Sequence, residues 1–187
     1  TYEKYKEHLG KYFNNGIESF FYDEPALAGM YKSSCSVLNV LDPPNENLEF
    51  LDTYNYSPIL SEYFQQKWGY DPTPYLPYLY KQGSALNQSE EAMRFRLQFN
   101  DCIAELFATN YFKQIGDWCD KNNINASGHL LGEESPASCV LYSGNVMRNY
   151  ANVQIPGIDL LSGDPAITAS WSNVMKACSS SAQFYGK

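Results

Sequence analysis

The chain has 187 residues, with 13 Lys and Arg against 21 Asp and Glu and a formal net charge of −8. Hydrophobic residues make up 44% and aromatics 16%, too much apolar material for a disordered chain and enough for a core. An acidic excess without any Lys/Arg run gives phosphate backbones and anionic lipids nothing to select, which argues against nucleic acid and membrane surfaces as partners. No apolar stretch approaches the roughly 20 residues that span a bilayer. The N-terminus, Thr1-Tyr2-Glu3-Lys4, has neither a signal-peptide pattern nor an initiator Met, so the sequence reads as a processed product or a piece of a longer polypeptide. Its five cysteines, Cys35, Cys102, Cys119, Cys139 and Cys178, are scattered and lack zinc spacing, which predicts free, mostly buried thiols and leaves the compartment open.

Tyr2, Tyr5, His8, Leu9 and Tyr12 recur at helical spacing before Asn14-Asn15-Gly16, predicting a helix over Thr1 to Phe13. Ile17 to Tyr22 is β-branched and aromatic and runs into Asp23-Glu24-Pro25, a strand stopped by proline with two acids at its tip. Residues 26–56 show no period and read as a long loop excursion. Ser57-Pro58 caps a helix ending at Gly69, and Tyr70 to Pro77 breaks regularity. Ser89-Glu90-Glu91 opens one long, bent helix closing near Lys121-Asn122-Asn123. Ile124 to Leu131 is a second strand, Asn145 to Asn152 a short helix, Gly157 to Leu161 a third strand and Ile167 to Tyr185 a last helix. This alternation predicts an α/β fold with parallel strands and helices outside, either an open sheet or part of a barrel, because a full (β/α)8 barrel takes about 250 residues. No G-x-G-x-x-G or Walker loop occurs, so nucleotide binding lacks its usual support.

In such folds active sites assemble at the carboxyl ends of strands, and all three predicted strands finish in polar groups: Asp23-Glu24, His129 with Glu133-Glu134, and Asp159. Two carboxylates facing one cleft are what glycoside hydrolysis needs, one protonated to donate to the leaving oxygen and one ionised as nucleophile or base. Strand-tip acids are also ordinary solvated charges or helix caps. His129 could hydrogen-bond a substrate hydroxyl, orient a glutamate or satisfy a core carbonyl, and two histidines support neither a zinc site nor a nucleophilic triad.

The runs Phe20 to Pro25, Trp68-Gly69-Tyr70-Asp71 with Tyr75-Leu76-Pro77, Trp118-Cys119, Ser127-Gly128-His129, Gly132-Glu133-Glu134 and Ile155-Pro156-Gly157-Ile158-Asp159 together resemble large multidomain bacterial glycosyl hydrolases of the α-L-rhamnosidase-like group. The resemblance spans nearly the whole chain and implies a (β/α)8 TIM-barrel catalytic domain. On its map the three strands are approximately the fourth, fifth and sixth, so residues 1–187 form the central segment of one barrel domain, with a further strand carrying a Ser-Glu motif beyond Lys187. Related barrels carry Asn before the acid/base glutamate, where this chain has Asp23.

The resemblance implies a glycosidase acting on O-glycosyl bonds, of the kind that degrades bacterial carbohydrate or polysaccharide, cytoplasmic or secreted. Glu24 is the expected general acid, with Glu133 or a downstream glutamate as its partner; Asp23, His129, Glu134 and Asp159 are expected to bind substrate. No cofactor is implied and no metal ligand is assigned, although calcium is compatible. The alternative is a non-catalytic carbohydrate-binding or scaffold module on the same fold. A stand-alone α/β hydrolase of another class lacks its G-x-S-x-G elbow here. Three strands cannot close a barrel, so the inward faces of Phe20, Tyr22, Leu130 and Leu160 are expected to be covered by the rest of the parent polypeptide or a second copy.

Overall fold

The computed structural model describes residues 2–27, 56–79, 89–133, 136–159 and 165–187. In chain order its elements are α1 (Tyr2–Leu9), β1 (Ser19–Tyr22), α2 (Pro58–Trp68), α3 (Glu90–Phe107), α4 (Gln114–Lys121), β2 (Asn125–Gly128), α5 (Pro136–Ser138), α6 (Val146–Tyr150), β3 (Ile155–Pro156) and α7 (Pro165–Tyr185). They fall into two compact units, Thr1–Ala26 with Ala104–Lys187, and Leu27–Ile103. Almost all of the 26–56 excursion, with Cys35, and also Glu134 and Leu160, lie outside the described residues. The other four cysteines are thiols, Cys102 and Cys119 fully buried. Among the described residues no helix is long and apolar enough to cross a membrane.

The first unit is built on a three-stranded parallel sheet in the order β1-β2-β3, as the alternation predicts. Alternation along β1 sends Phe20 and Tyr22 to one face. There the Phe20 ring meets Tyr2 at 5.1 Å, Phe13 at 5.6 Å and Trp118 at 5.9 Å, and buried Tyr22 meets Phe112 at 5.4 Å. These edge-on aromatic contacts, with Cys119, Ile124, Ala126 and Val153, form the core under the helices. Phe21 points the other way and is 65% exposed; it shares its row with Ser127 and Ile155, the latter 45% exposed. The expected uncovered face is therefore the wrong parity: Phe20, Tyr22 and Leu130 face protein, and Phe21 and Ile155 do not. A one-residue shift of phase in a strand exchanges its two faces, and an all-aromatic Phe20-Phe21-Tyr22 run gives the sequence no means of fixing that phase.

The strands are shorter than their apolar runs. Ile17 makes a single bridge to Phe13 before β1 starts, and β2 stops at Gly128, where φ is +146°. β3 sits at Ile155–Pro156, two residues ahead of the expected Gly157 to Leu161, because β2 offers no ladder beyond Gly128. The long helix is three successive pieces, α3, a π-helical turn over Ala108–Lys113 and α4. The π turn seats Phe112 in the core against Tyr22 and Phe107. Gly116 on α4 is obligatory, since a Cβ there would lie 1.9 Å from the Asn152 carbonyl.

The second unit follows its local signals closely. The Ser57 hydroxyl accepts from the Leu60 N–H at 3.3 Å, Pro58 takes the first helical position, and Gly69 closes α2 in the left-handed region at φ +83°. Phe64 of α2 packs between Tyr70, at 5.0 Å, and Phe95, at 5.6 Å, and Tyr75 of the 3-10 turn Thr73–Leu79 stacks on Phe95.

Candidate active site

Parallel register decides which side chains meet at the carboxyl edge. Tyr22 pairs with Gly128, so the residues that follow them, Asp23 and His129, emerge side by side, and Nε2 of His129 lies 3.0 Å from Oδ1 of Asp23. Gly128 is the residue that permits this approach. A Cβ at this position would lie 2.1 Å from the Tyr22 carbonyl oxygen, and its φ suits glycine alone. The Gly157 N–H donates to the Gly128 carbonyl at 2.9 Å, which carries the chain after β3 to the same edge.

Three side chains converge there. Glu24, His129 and Asp159 each offer a donor atom, all within 4.8 Å of one another. His129 is buried with its ring tilted against Phe21 at 5.6 Å, and its Nδ1 has no hydrogen-bond partner among the described residues. Asp23 is outside this trio, with its side chain 80% exposed. Glu24 adopts φ +47°, a left-handed conformation that costs a non-glycine residue about 1–2 kcal/mol, and its carboxylate lies beside His129 and Asp159. Two carboxylates and an imidazole at this separation can surround a sugar hydroxyl or a divalent cation of the kind that accepts mixed N/O ligands; calcium, with six to eight oxygen ligands, would need more donors than these.

Glu133 is set apart from the trio. Its carboxylate is 6% exposed and fully engaged: Oε1 accepts from the Asp159 N–H at 2.5 Å, and Oε2 faces the Tyr150 hydroxyl at 3.2 Å and the Leu130 N–H at 3.5 Å. Burial raises its pKa, opposed in turn by these hydrogen bonds and by nearby His129. It borders an apolar cavity of about 190 Å³ with Pro136, Cys139, Val146, Tyr150 and Val174.

The chain matches a family model of glycoside hydrolases, family 106, described as alpha-L-rhamnosidase, over residues 6–187. It belongs to that family. No curated protein and no solved structure matches the chain. The family supports a glycosidase and bears out the resemblance carried by the strand-end runs.

Of the residues that the sequence proposes for a rhamnosidase-family site, Glu24, His129 and Asp159 are brought together, Asp23 touches His129 from outside, and Glu133 reaches Asp159 only through its backbone N–H. Glu134 lies outside the described residues. The sequence misses Tyr150, whose hydroxyl spans Glu133 and the Gly157 carbonyl, because a tyrosine on a short helix carries no motif. Glycines at Gly128 and Gly157 were the available signal for close strand-end packing: a Cβ on Gly157 would lie 2.7 Å from the Gly128 carbonyl oxygen.

Proposed function

We propose that this chain carries part of the active site of an α-L-rhamnosidase, with Glu24 as the general acid that protonates the leaving oxygen of an O-glycosidic bond. The observation behind this reading is the convergence of Glu24, His129 and Asp159 at the carboxyl edge of a parallel sheet in a chain of that family. Asp159 and Asp23 accept from sugar hydroxyls, and the Nδ1 of His129, unpartnered among the described residues, offers one further acceptor or donor. Glu24 and Asp159 offer oxygens within 4.8 Å of each other, closer than the ~6.5–9.5 Å that leaves room for an attacking water, so Asp159 is not the base of an inverting pair with Glu24, and we assign it to binding. The second carboxylate then comes from another strand of the completed sheet. The exposed row of Phe21 and Ile155, and the edges of β1 and β3, unpaired among the described residues, favour a larger closed sheet of the TIM-barrel kind, completed by the rest of a parent polypeptide or a second copy.

The test is Glu24→Gln in the intact enzyme, assayed on aryl and alkyl α-L-rhamnosides. A general acid contributes about 10²–10⁴-fold, and most where the leaving group is poor. The variant is expected to lose that much on an alkyl rhamnoside and far less on a dinitrophenyl one. Equal, few-fold losses on both would remove Glu24 from the acid role and favour a carbohydrate-binding function for the strand-end acids.

A further inference from the structure

Glu133 and Tyr150 form a connected polar pair beneath the strand ends, and their hydrogens can be counted. The Tyr150 hydroxyl lies 2.7 Å from the Gly157 carbonyl and 3.2 Å from Oε2 of Glu133. A phenol has one hydrogen to donate and a carbonyl can only accept, so the shorter of the two takes that hydrogen. The Tyr150 oxygen then meets Oε2 as an acceptor, and the pair is satisfied when the hydrogen between them belongs to Glu133. The other carboxyl oxygen remains free to accept the Asp159 N–H at 2.5 Å. With that arrangement every group in the pair is matched, as buried polar groups require.

The frame around the pair is rigid. Tyr150 is fully buried at the end of α6, a helix whose cap, Asn145, accepts from the Arg148 N–H at 3.0 Å. The Ser143 hydroxyl donates to the Leu131 carbonyl at 3.0 Å, and Asn149 donates to the Ser143 carbonyl at 2.8 Å. The turn after His129 is thus held at Leu130 and Leu131, and the turn after β3 is held at Gly157 and Asp159.

We infer that Glu133 and Tyr150 are a positioning pair that fixes the two turns presenting His129 and Asp159, and that Glu133 is not the second catalytic carboxylate. This rests on reading those two residues as part of the reaction site. The role predicts an ordering of variants that a catalytic base cannot produce. In Glu133→Gln the amide oxygen still accepts from Asp159 and the NH2 group supplies the hydrogen facing Tyr150; only the long hydrogen bond from the Leu130 N–H goes unmade. In Glu133→Ala both turns are released, and a misplacement of about 1 Å at a reacting centre costs on the order of 100-fold.

The experiment compares Glu133→Gln and Glu133→Ala in the intact enzyme by kcat/KM on an aryl α-L-rhamnoside, and by hydrogen exchange of the Leu130 and Asp159 amides. The glutamine variant is expected to stay within about tenfold of the parent with the Asp159 amide protected. The alanine variant should fall by about 100-fold with both amides exchanging faster, and added azide or formate should not restore it. A glutamine variant as inactive as the alanine one, or rescue of alanine by azide or formate, would make Glu133 catalytic and overturn the inference. Exchange reads the hydrogen bonds without turnover: unchanged protection in the alanine variant overturns the positioning role even if the rhamnosidase reading fails, and the effect of Glu24→Gln on activity is scored separately.

Discussion

The turns after β1 and β2 each deliver a glutamate, and they treat it in opposite ways. Glu24 is held in a left-handed backbone conformation with its carboxylate next to His129 and Asp159, and it takes no hydrogen bond from the described residues. Glu133 has an engaged carboxylate, buried against Tyr150 and two backbone N–H groups. A carboxylate with free lone pairs and local strain is available to a substrate; one whose lone pairs are spent on the protein is scaffold. In sequence both are simply acids just past a strand.

The largest expected effect comes from prising apart the strand ends on which both turns depend. Gly128→Ala places a Cβ 2.1 Å from the Tyr22 carbonyl oxygen at a φ of +146°, so the strand ends must separate. Steric overlap with backbone at a special φ belongs with the exceptional substitutions, above about 4 kcal/mol, and the variant is expected to lose its cooperative urea transition. A midpoint like that of the parent would show that the β1 and β2 ends are not locked together, and the comparison of their tips would lose its basis.

Next come substitutions expected to move stability in opposite directions. Glu133→Ala strands the Asp159 and Leu130 N–H groups and should cost about 1–3 kcal/mol. Glu24→Gly keeps the backbone shape without the Cβ penalty and should gain roughly 1 kcal/mol while cutting turnover of an alkyl rhamnoside by about 10²–10⁴-fold. Urea midpoints of the two variants in the intact enzyme check both. If Glu24→Gly is also destabilising, the turn after β1 is not storing strain and its glutamate is closer in standing to Glu133.

Much of this was legible in sequence where a local rule acts alone. Ser57-Pro58 and Gly69 mark α2 because capping and the left-handed stop are matters of a few adjacent atoms. The parallel sheet followed from the order of elements, and the polar strand ends followed from that sheet. What sequence could not fix depends on partners far along the chain. The phase of Phe20-Phe21-Tyr22 is set by Tyr2, Phe13, Trp118 and Phe112, and β3 is placed by where β2 stops. The different standing of Glu24 and Glu133 depends on Tyr150, 17 residues beyond the second of them.

The smallest expected effect is a pH dependence carried by Glu133. Burial raises the pKa of Glu133 above its ordinary value, against the hydrogen bonds from the Asp159 and Leu130 amides, its contact with the Tyr150 hydroxyl and nearby His129. The other titratable groups that sense it are Tyr22, Tyr150 and Cys178, each pushed up in part by its charge. A group whose folded pKa is raised contributes stability that is complete below its unfolded pKa, about 4.3 for Glu, and that fades as pH rises through the folded value. Glu133→Gln cannot ionise. The stability of the parent relative to this variant should therefore be greatest near pH 4 and decline toward neutrality, with the groups that do not sense Glu133 cancelling. Urea midpoints of parent and variant between pH 4 and 7 measure it, and the difference is small because the hydrogen bonds offset part of the desolvation. A difference that grows with pH would mean that Glu133 is stabilised as an anion at the strand ends; the distinction between a scaffold carboxyl and a reactive one would then have to be drawn elsewhere.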